Sequence, residues 1–506
     1  MNMMLSEIAK CVQGQLVGTD IAIASVSIDT RAIQPGQLYV AIKGPQFDGN
    51  DFVGTAEQAG AVAAMVHPGI KATVPHIIVA DTRLALAELA GAWRQKAAVS
   101  LSGMSSVSPQ SLAVGRVGSM PTSTLPPSLA VGRVGSIPTS TLPPSLAVVG
   151  VTGSNGKTTV KEMTAAILAA SEPTPNPGQV LYTLGNFNND IGVPLTLLRL
   201  NGQHRYAVIE MGANHPGEIA YTSRYAQADV VILNNAGAAH IEGFGSLDGV
   251  AQAKGEIIAT LKQSGVAVLN RDDAYFDYWK SVAGDRKVLS FGVDGDADVS
   301  AQGIKTSLSD NGFVTTFELV TKQGTQACMI KLAGLHNVVN ALAATAASLA
   351  LNISLAQIVR GLAQAKPVTG RLQLLQGRLG NRVIDDTYNA NAASLKVGLD
   401  VLGLCAGPRW LVLGAFGELG PDSPDMHYDM GGLIKACGVV RMLAMGGDAL
   451  HTVRAFGDGA TFFASQDDLI AELLQELKGD ETILIKGSRV QRMEQVAAAL
   501  VENFRN

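Results

Sequence analysis

Short apolar runs, bounded by turn-forming residues, precede a long helical stretch in the first part of this chain. The apolar runs are IAIASVSIDTR, GQLYVAIKG, AVAAMV and HIIVADT, and the helical stretch is TRLALAELAGAWRQKA. Runs of this length predict β-strands, and the alanine-rich stretch predicts a helix. We therefore predict a small mixed α/β domain over residues 1–102, with its first helix in MNMMLSEIAKCVQGQL.

Continuous apolar runs alternate with helical stretches from Ser145 to the end of the chain. The first group is LAVVGV, YAVIEMG, ADVVILNN, GVAVLN and KVLSFG, and the second is RWLVLGAF, VVRMLAMGG, ATFFAS and TILIKGS. Strands that are apolar throughout and separated by helices are typical of parallel sheets covered by helices. The pattern predicts a mostly parallel central domain at 145–368 and a Rossmann-like domain at 369–506.

A tandem repeat lies between the first and central domains. Residues 111–127 recur as residues 128–144, and the two copies differ only at Met120 and Ile137. Solenoids need at least about three repeats, so two copies rich in Ser, Pro, Gly and Thr favour a linker. We predict a linker insert at 103–144, and a partner-binding segment is the less favoured alternative.

Composition narrows the class of protein. Hydrophobic residues make up 47% of the chain and charged residues 16%, with a net charge of -5, which is typical of a soluble globular protein. No basic block favours nucleic acid binding, and the N-terminus lacks a signal-peptide pattern. The longest apolar tract, NVVNALAATAASLALNISLAQIV, is broken by polar residues and predicts a buried helix rather than a membrane span. Four scattered cysteines favour reduced thiols in the cytoplasm.

A glycine-containing loop follows the first strand of the predicted central domain. The order strand, TGSNGKTT and helix directs backbone N–H groups and a helix N-terminus at an anion. Val151 replaces the first glycine of the standard phosphate-loop motif, but we still expect Lys157 to contact outer phosphates and Thr158 to contact magnesium. The expected phosphate-binding residues are Gly153, Ser154, Asn155, Gly156, Lys157, Thr158 and Thr159.

Two candidate ligands follow neighbouring apolar runs. Glu210 ends the run YAVIE, and His240 follows ADVVILNN. Ligands of open parallel sheets bind at the carboxyl ends of strands, where a carboxylate can hold magnesium. The residues alone leave open a solvated glutamate and a structural histidine.

Strings spread along the chain resemble, in order, the motifs of the Mur ligase family. They are TGSNGKTTVKEM, GNFNNDIGVPLTLL, IEMGANHPGEI, AHIEGFGS, AKGEI, HNVVNALAA, GRLQ, DDTYNANAAS, GELG and KGSR. The resemblance covers nearly the whole chain outside residues 103–144. GNFNNDIGVP and DDTYNANAAS favour the family member that adds D-alanyl-D-alanine, because the other members share the phosphate loop but not these strings.

The resemblance implies a three-domain, ATP-dependent ligase of peptidoglycan synthesis. ATP would phosphorylate the terminal carboxylate of UDP-N-acetylmuramoyl-tripeptide, and the amine of D-alanyl-D-alanine would attack the acyl phosphate. The resemblance also implies two Mg²⁺ ions and a carbamate on Lys254, which the residues alone would make an ordinary surface lysine. The implied catalytic residues are Lys157, Glu210, His240 and Lys254, and the implied metal ligands are Thr158, Glu210, His240 and carbamoylated Lys254.

The resemblance also assigns nucleotide and substrate contacts. Beyond the phosphate loop, the implied ATP contacts are Asn337, Asn340, Arg371 and Asp386, with helix packing as the alternative for Asn340. The implied substrate contacts are Ser27, Thr30 and Arg31 in the UDP-binding first domain and Tyr388, Asn389 and Asn391 in the third domain. Closure of the third domain on ATP would therefore belong to catalysis, and the resemblance suggests a monomer.

The chain departs from the family pattern after one strand of the third domain. Family members carry an aspartate in a GDM string where this chain has Ala415 and Phe416, although Glu418 is retained. Two alternatives stay open: a catalytically weakened protein that binds the UDP precursor or ATP, and a relative that adds another amino acid. A phosphate-loop switch or transport ATPase is less favoured, because it would not need a UDP-binding domain.

Deletion of residues 111–144 tests the predicted insert. We expect the variant to keep most of its ligase activity, because extra loop length between domains has a small entropic effect. Activity and solubility of the purified deletion variant are the measurements. Insoluble protein would show that the repeats belong to the folded structure.

Overall fold

The structure of the protein is a computed structural model that describes residues 1–104, 146–171, 176–237, 241–294, 296–309 and 312–502. The repeats of the predicted insert and the predicted metal ligand His240 lie outside these ranges. The described residues form three regions, each built around a main β-sheet, which confirms the predicted three-domain α/β class. The predicted domain boundaries stay predictions.

The first region contains a five-stranded mixed sheet and the long helix that leads toward the second region. Its elements are β1 (Met3–Met4), α1 (Leu5–Cys11), β2 (Gln15–Val17), β3 (Ala22–Ile23), β4 (Ser25–Ser27), β5 (Gln37–Val40), α2 (Val53–Gln58), β6 (Ala63–Val66), β7 (His76–Ile78) and α3 (Thr82–Met104). The sheet order is β2-β7-β6-β5-β4, with β2 antiparallel and the other pairs parallel. β1 and β3 form a separate antiparallel pair.

The second region contains a nine-stranded sheet flanked by helices. Its elements are β8 (Ala147–Thr152), α4 (Lys157–Ala170), β9 (Val180–Tyr182), α5 (Gly192–Leu197), β10 (Tyr206–Glu210), α6 (Glu218–Ala226), β11 (Val230–Leu233), α7 (Ile241–Phe244), α8 (Leu247–Ala259), β12 (Val266–Asn270), α9 (Phe276–Ala283), β13 (Lys287–Phe291), β14 (Val299–Ser309), β15 (Gly312–Thr321), β16 (Gly324–Ile330), α10 (Leu335–Ala350) and α11 (Leu355–Gln364). The strand order is β16-β15-β14-β13-β12-β11-β8-β10-β9.

The third region contains a six-stranded sheet that is parallel except for its first strand. Its elements are β17 (Gln373–Gln376), β18 (Arg382–Asp386), α12 (Ala392–Leu402), β19 (Arg409–Gly414), α13 (Ser423–Ala436), β20 (Arg441–Met445), α14 (Ala449–Phe456), β21 (Ala460–Phe463), α15 (Gln466–Glu476), β22 (Thr482–Lys486) and α16 (Glu494–Leu500). The strand order is β17-β18-β22-β19-β20-β21. Only β17 pairs antiparallel among these described strands.

The position of β8 determines where the candidate site lies. All six residues of β8 are buried, because the sequence AVVGVT offers apolar or small side chains to both faces of the sheet. β8 lies between β10 and β11 and runs parallel to both. The loop after β8, Glu210 at the end of β10 and the residues after β11 therefore lie at the same edge of the sheet.

Helix α3 attaches the first region to the second. The Trp93 indole Nε1 donates a hydrogen bond to the Leu200 carbonyl at 2.9 Å. The nearly buried Arg94 donates from Nη2 to the Gln227 carbonyl at 2.9 Å and from Nε to the Ala226 carbonyl at 3.2 Å. Buried carbonyls and buried donors thus satisfy each other across the contact between the regions.

The strand and helix predictions are largely confirmed, with two differences. The mostly parallel second sheet ends in three long strands, β14 to β16, which pair antiparallel through hairpins that the apolar-run pattern did not reveal. The long apolar tract is buried as predicted, but it forms two helices, α10 and α11, rather than one. The chain turns between them at Asn352, whose φ of 62° breaks the helical geometry.

Among the described residues, no helix is both long and apolar enough to cross a membrane. The four cysteines are unpaired thiols in the part of the chain that the structure describes.

Two adjacent glycines in α13 give a matched test of helix packing. A Cβ added at Gly431 would lie 2.4 Å from the Thr452 carbonyl oxygen of α14, whereas one at Gly432 would meet nothing within 4 Å. We expect Gly431→Ala to destabilise the third region by about 1–3 kcal/mol through overpacking. Gly432→Ala should stabilise it by about 0.5–1 kcal/mol through helix propensity. Thermal unfolding checks both, and shifts of the same sign would contradict the packing argument.

Candidate active site

The loop between β8 and α4 has the geometry of a phosphate loop. Gly156 precedes α4 as its N-cap, with a φ of 81°, in the left-handed region that favours glycine. A Cβ at this position would lie 2.3 Å from the Asn340 Oδ1 and 2.5 Å from the Asn234 Nδ2. Only glycine therefore fits between these two side chains while the loop turns into the helix.

Residues that follow β11, among them two asparagines, form hydrogen bonds with the phosphate loop. The Asn155 N–H donates to the Asn235 Oδ1 at 2.8 Å, and the Asn155 carbonyl accepts from the Asn234 Nδ2 at 3.0 Å. The Ser154 hydroxyl donates to the Gly237 carbonyl at 3.0 Å. These bonds fix the backbone of the loop without using the N–H groups at the start of α4, which stay available for an anion.

Lys157 and Thr158 are the first two residues of α4, and Lys157 lines the larger cavity of the site. The Lys157 Nζ donates to the Gly153 carbonyl at 2.7 Å and to the Ser154 carbonyl at 3.2 Å. Burial lowers the pKa of Lys157, while the Glu210 carboxylate acts in the opposite direction. The Thr158 Oγ1 accepts a hydrogen bond from the Arg371 Nη2 at 3.3 Å, which links the loop to the third region.

Glu210 is a buried carboxylate at the end of β10, with only 2% of its surface exposed. Its Oε1 accepts from the Asn188 Nδ2 at 2.8 Å, and its backbone N–H donates to the Thr183 hydroxyl at 2.9 Å. Its Oε2 is buried and has no hydrogen-bond partner among the described residues. A buried carboxylate oxygen without a partner is costly unless a cation or donor joins it, so Glu210 fits a hard metal ion.

Lys254 on α8 is buried as deeply as Glu210. Burial, with a smaller contribution from the Lys157 charge, lowers the pKa of Lys254 to about 7. Its Nζ lies 5.8 Å from the centre of the Phe244 ring. At neutral pH, a large share of this side chain is therefore the uncharged amine.

A cleft between the second and third regions contains most of the predicted residues. The larger of its two described cavities has a volume of about 590 Å³, and the smaller one has a volume of about 280 Å³. The larger cavity is lined by Ser154, Asn155, Gly156, Lys157, Glu210, Lys254, Arg371, Asp386, Tyr388, Asn389 and Asn391, among others. The smaller is lined by Asn155, Gly156, Thr159, Asn337, Asn340, Arg371 and Asp386, among others.

Asn337 and Asn340 line the smaller cavity, and their side chains also form hydrogen bonds with each other and with neighbouring residues. The Asn340 Nδ2 donates to the Asn337 Oδ1 at 3.2 Å, and its Oδ1 accepts from the Asn234 Nδ2 at 2.9 Å. The Asn337 Nδ2 donates to the Ala333 carbonyl at 2.8 Å. Asn340 therefore has the packing role that was the alternative for it, although each of the two amides keeps capacity for one more donated and one more accepted bond.

The third region supplies a cluster of charges to the cleft. Asp386, at the end of β18, forms a buried ion pair with Lys486 at the end of β22, with 2.5 Å between Oδ2 and Nζ. The Lys486 Nζ also donates to the Asn389 carbonyl at 3.1 Å. The Arg371 guanidinium lies 4.3 Å from the centre of the Tyr388 ring. Cation–π contact of this kind holds a guanidinium in place without using its N–H groups, of which one on Nη2 is donated to Thr158.

Asn391 connects the two walls of the cleft. It begins α12, where its Oδ1 accepts from the Ser394 N–H at 2.8 Å as an N-cap. Its Nδ2 donates to the Asn155 Oδ1 at 3.0 Å. The predicted substrate contact is therefore, in this structure, a direct bond between the third region and the phosphate loop.

The predicted UDP contacts lie outside the cleft. Ser27 ends β4, and Thr30 and Arg31 form the 3₁₀ turn that follows it. Arg31 is exposed and pairs with Asp29 at 2.8 Å. These three residues form one loop in the first region and do not line either described cavity of the cleft.

Comparison with known proteins identifies the family. Residues 22–94 match the Mur ligase family, catalytic domain, residues 151–348 match the Mur ligase middle domain, and residues 370–489 match the Mur ligase, glutamate ligase domain. The chain is 39% identical to the UDP-N-acetylmuramoyl-tripeptide--D-alanyl-D-alanine ligase of Escherichia coli (strain K12), over 99% of this chain and 98% of that protein. The chain belongs to the Mur ligase family.

Solved structures of Mur ligases share this architecture. A crystal structure of MurF from Acinetobacter baumannii is 33% identical, with a TM-score of 0.84 and 99% of each chain covered. The MurF ligase of Thermotoga maritima in complex with ADP is 25% identical, with a TM-score of 0.75, and the match covers 94% of this chain and 96% of that one. The three-domain arrangement of this Mur ligase is therefore that of its family.

Several cleft residues of this Mur ligase were missed by sequence reasoning. They are Asn188, Asn234, Asn235, His336, Lys486 and Arg489. Asn234, Asn235 and Lys486 had a usable signal, because each lies at or directly after the carboxyl end of a buried strand. Asn188 and His336 lie within strings that carried the family resemblance, but neither string reveals which of its residues points into the cleft.

The buried Lys254 predicts a specific pH dependence of stability. Its folded-state pKa of about 7 lies below the ordinary value of 10.5, so between these values the unfolded chain binds more protons than the folded one. The free energy of unfolding therefore falls as the pH falls from 10.5 toward 7, because the unfolded chain takes up a proton on Lys254 that the folded protein does not. From pH 9 to pH 7, the protein should lose up to about 1.4 kcal/mol per pH unit relative to Lys254→Met.

Thermal unfolding of both proteins in CO₂-depleted buffer at several pH values measures this difference. The exposed Lys305→Met provides a matched control, which should follow the unmodified protein at every pH. Equal pH slopes for the protein and Lys254→Met would show that Lys254 keeps its ordinary pKa.

Proposed function

We propose that this Mur ligase joins D-alanyl-D-alanine to UDP-N-acetylmuramoyl-tripeptide and converts ATP to ADP and phosphate. One observation carries the proposal. The cleft brings together the phosphate-loop Lys157, the Glu210 carboxylate with its unpartnered Oε2, and Arg371, in a chain that aligns end to end with ligases of that name. The product would be the UDP-linked pentapeptide precursor of peptidoglycan.

The chemistry explains why the cleft needs this set of charges. A carboxylate is a poor electrophile, so an oxygen of the tripeptide carboxylate first attacks the γ-phosphorus as the bond to ADP breaks. The dipeptide amine then attacks the carbonyl carbon of the acyl phosphate, loses a proton and displaces phosphate through a tetrahedral intermediate. The first step brings two anions together, and phosphoryl transfer depends mainly on positioning and neutralising such charge.

Lys157 and Arg371 supply positive charge from opposite walls of the cleft. Lys157 approaches from the phosphate loop, and Arg371 approaches from the third region, where Tyr388 and Thr158 hold its guanidinium. An arginine supplied from a second region can act only when the two regions are close together. Domain closure would therefore assemble the charge needed for phosphoryl transfer.

The residues present fit a magnesium ion. Mg²⁺ would neutralise phosphate charge when bound, and Glu210 and Thr158 would hold it. The unpartnered Glu210 Oε2 supports this assignment. Magnesium is often bound by one or two carboxylates together with phosphates and water, so the lack of a cluster of three acidic, His or Cys ligands among the described residues agrees with it. The second ion would need His240, which lies outside the described residues.

The environment of Lys254 also fits the expected carbamate. An amine reacts with CO₂ only in its uncharged form, and burial lowers the pKa of Lys254 to about 7. A carbamate would give Lys254 a negative charge that attracts Lys157, whereas a protonated Lys254 would repel it. Lys254 would then become an oxygen ligand for the second metal ion.

The remaining expected contacts with ATP and the two substrates are assigned to different parts of the protein. ATP would occupy the smaller cavity beside Asn337, Asn340 and Asp386, with its phosphates on residues 153–159. Ser27, Thr30 and Arg31 would contact the UDP end on the first region. Tyr388, Asn389 and Asn391 would face the dipeptide side, and the protein would act as a monomer in the cytoplasm.

Phosphate release from ATP distinguishes the proposal from its alternatives. We expect release only when UDP-N-acetylmuramoyl-tripeptide and D-alanyl-D-alanine are both present, together with a pentapeptide product identified by mass. Glu210→Gln should lower the rate by about 100-fold or more, because it removes the charged ligand that would hold the metal ion against the phosphates. Thermal unfolding of this variant is the control, and a transition close to that of the unmodified protein would show that the variant is folded.

Each alternative gives a different result in the same assay. Binding of the UDP-tripeptide without turnover would indicate a weakened member of the family. Turnover with a single amino acid in place of the dipeptide would indicate another Mur-type ligase. Phosphate release from ATP alone would indicate a switch or transport ATPase.

A further inference from the structure

A loop after β19 forms part of the cleft wall that faces the phosphate loop. Gly417, Glu418 and Leu419 line the larger cavity. Glu418 has a φ of 60°, a left-handed conformation that is uncommon for a residue with a side chain. Such conformations persist where surrounding contacts fix them, and they are concentrated at functional sites. Some group must therefore hold this loop in place.

One contact that holds the loop is a hydrogen bond from its buried backbone. The preceding residue is also held, because the Ala415 carbonyl accepts from the Ser488 hydroxyl at 2.7 Å and the Ala415 N–H donates to the Met445 carbonyl at 2.9 Å. The Phe416 N–H donates to the Nε2 of His427 at 3.0 Å, and both residues are buried. The Phe416 ring also meets the imidazole edge-on, with 5.9 Å between the ring centres. Phe416 occupies the position next to Ala415, where the family pattern has its aspartate, so the loop here is held by contacts other than that carboxylate.

The surroundings of His427 make its Nε2 an acceptor. Its Nδ1 lies 2.8 Å from the Ser423 carbonyl oxygen, which can only accept, so the ring proton is on Nδ1. The Ser423 hydroxyl donates to the Asp448 Oδ2 at 2.5 Å, which ties the start of α13 to the residue before α14. Burial favours the uncharged imidazole and lowers the pKa of His427, against smaller opposing effects of the Ser423 backbone hydrogen bond and of Asp448.

The wall that includes this loop is suited to the acceptor dipeptide. The opposite wall carries Lys157 and Glu210, which serve the phosphates and the metal. A dipeptide is a zwitterion, and this wall carries an acidic residue, Glu418, and a basic one, Arg489. A shift of the loop would move Glu418 relative to Arg489 without moving the phosphate loop.

We propose that His427 is a positioning residue for the acceptor site, which fixes residues 415–420 through the Phe416 N–H without touching substrate. The inference rests on the proposed function for the identity of the acceptor. The hydrogen bond and the loop geometry stand independently of it.

Two conservative variants distinguish the roles of the two ring nitrogen atoms of His427. In His427→Gln, the amide oxygen can reach the position of Nε2 and accept from the Phe416 N–H. In His427→Asn, the shorter amide can replace only Nδ1, so the buried Phe416 N–H loses its acceptor. A buried donor without a partner is costly, so the loop in His427→Asn should leave its position.

The expected kinetic result is a split between substrates. His427→Asn should lower kcat/KM for D-alanyl-D-alanine by about tenfold or more, with the KM for ATP within about twofold of the unmodified protein. His427→Gln should recover most of that loss. Equal behaviour of the two variants, or equal loss toward ATP and dipeptide, would overturn the assignment of His427 to the acceptor site.

Amide hydrogen exchange tests the loop independently of catalysis. His427→Asn should speed exchange in a peptide covering residues 415–420, and His427→Gln should restore protection, in the full-length protein without substrates. If the unmodified protein forms no pentapeptide, the proposed function fails while this readout still tests the positioning contact. Unchanged exchange in His427→Asn would overturn the positioning role itself.

Discussion

The close approach of Asn234 and Asn340 to Gly156 is the constraint on which the rest of the site depends. Asn234 follows a strand and Asn340 lies within α10, so the two side chains bring three elements of the second region to one point. Any side chain at residue 156 would separate them. Because the loop is held at this point, the direction of α4 is fixed at its first residues, Lys157 and Thr158. These residues lie at the same edge of the sheet as Glu210, which ends β10.

The third region approaches this fixed loop with a balanced set of charges. The Asp386 carboxylate is neutralised by Lys486 inside the protein, so the pair adds little net charge to the cleft. Arg371 has no such carboxylate partner among the described residues and rests instead on an aromatic ring and a hydroxyl. Positive charge from this region is thereby concentrated at the phosphate loop.

Much of this architecture could be predicted from the pattern of apolar residues, because buried parallel strands must be apolar on both faces. Lys157 and Glu210 could be placed at strand ends by the same argument. The roles of Lys486 and Asn234 could not, because they depend on which strands become neighbours in the sheet.

The burial of Lys254 was also hidden in the sequence. The spacing of apolar residues along a helix predicts which side of the helix carries a lysine. It does not predict which other element packs against that side. Residue type pointed to solvent, whereas the structure buries Lys254 against the larger cavity; the carbamate that the family resemblance implies stays a prediction. The antiparallel strands β14 to β16 were missed for a related reason: their alternating burial leaves one face polar, so they lack the continuous apolar runs that mark the parallel strands.

The hydrogen bonds of Lys157 to the Gly153 and Ser154 carbonyls have a consequence for selectivity. An entering ligand must exchange these bonds for its own, so the net gain is the difference between a charged phosphate oxygen and a neutral amide oxygen as acceptor. A weak or neutral acceptor would gain almost nothing from the exchange. The two loop carbonyls thus compete with any ligand for the Lys157 ammonium group. Only a ligand whose oxygen is a stronger acceptor than these carbonyls is bound.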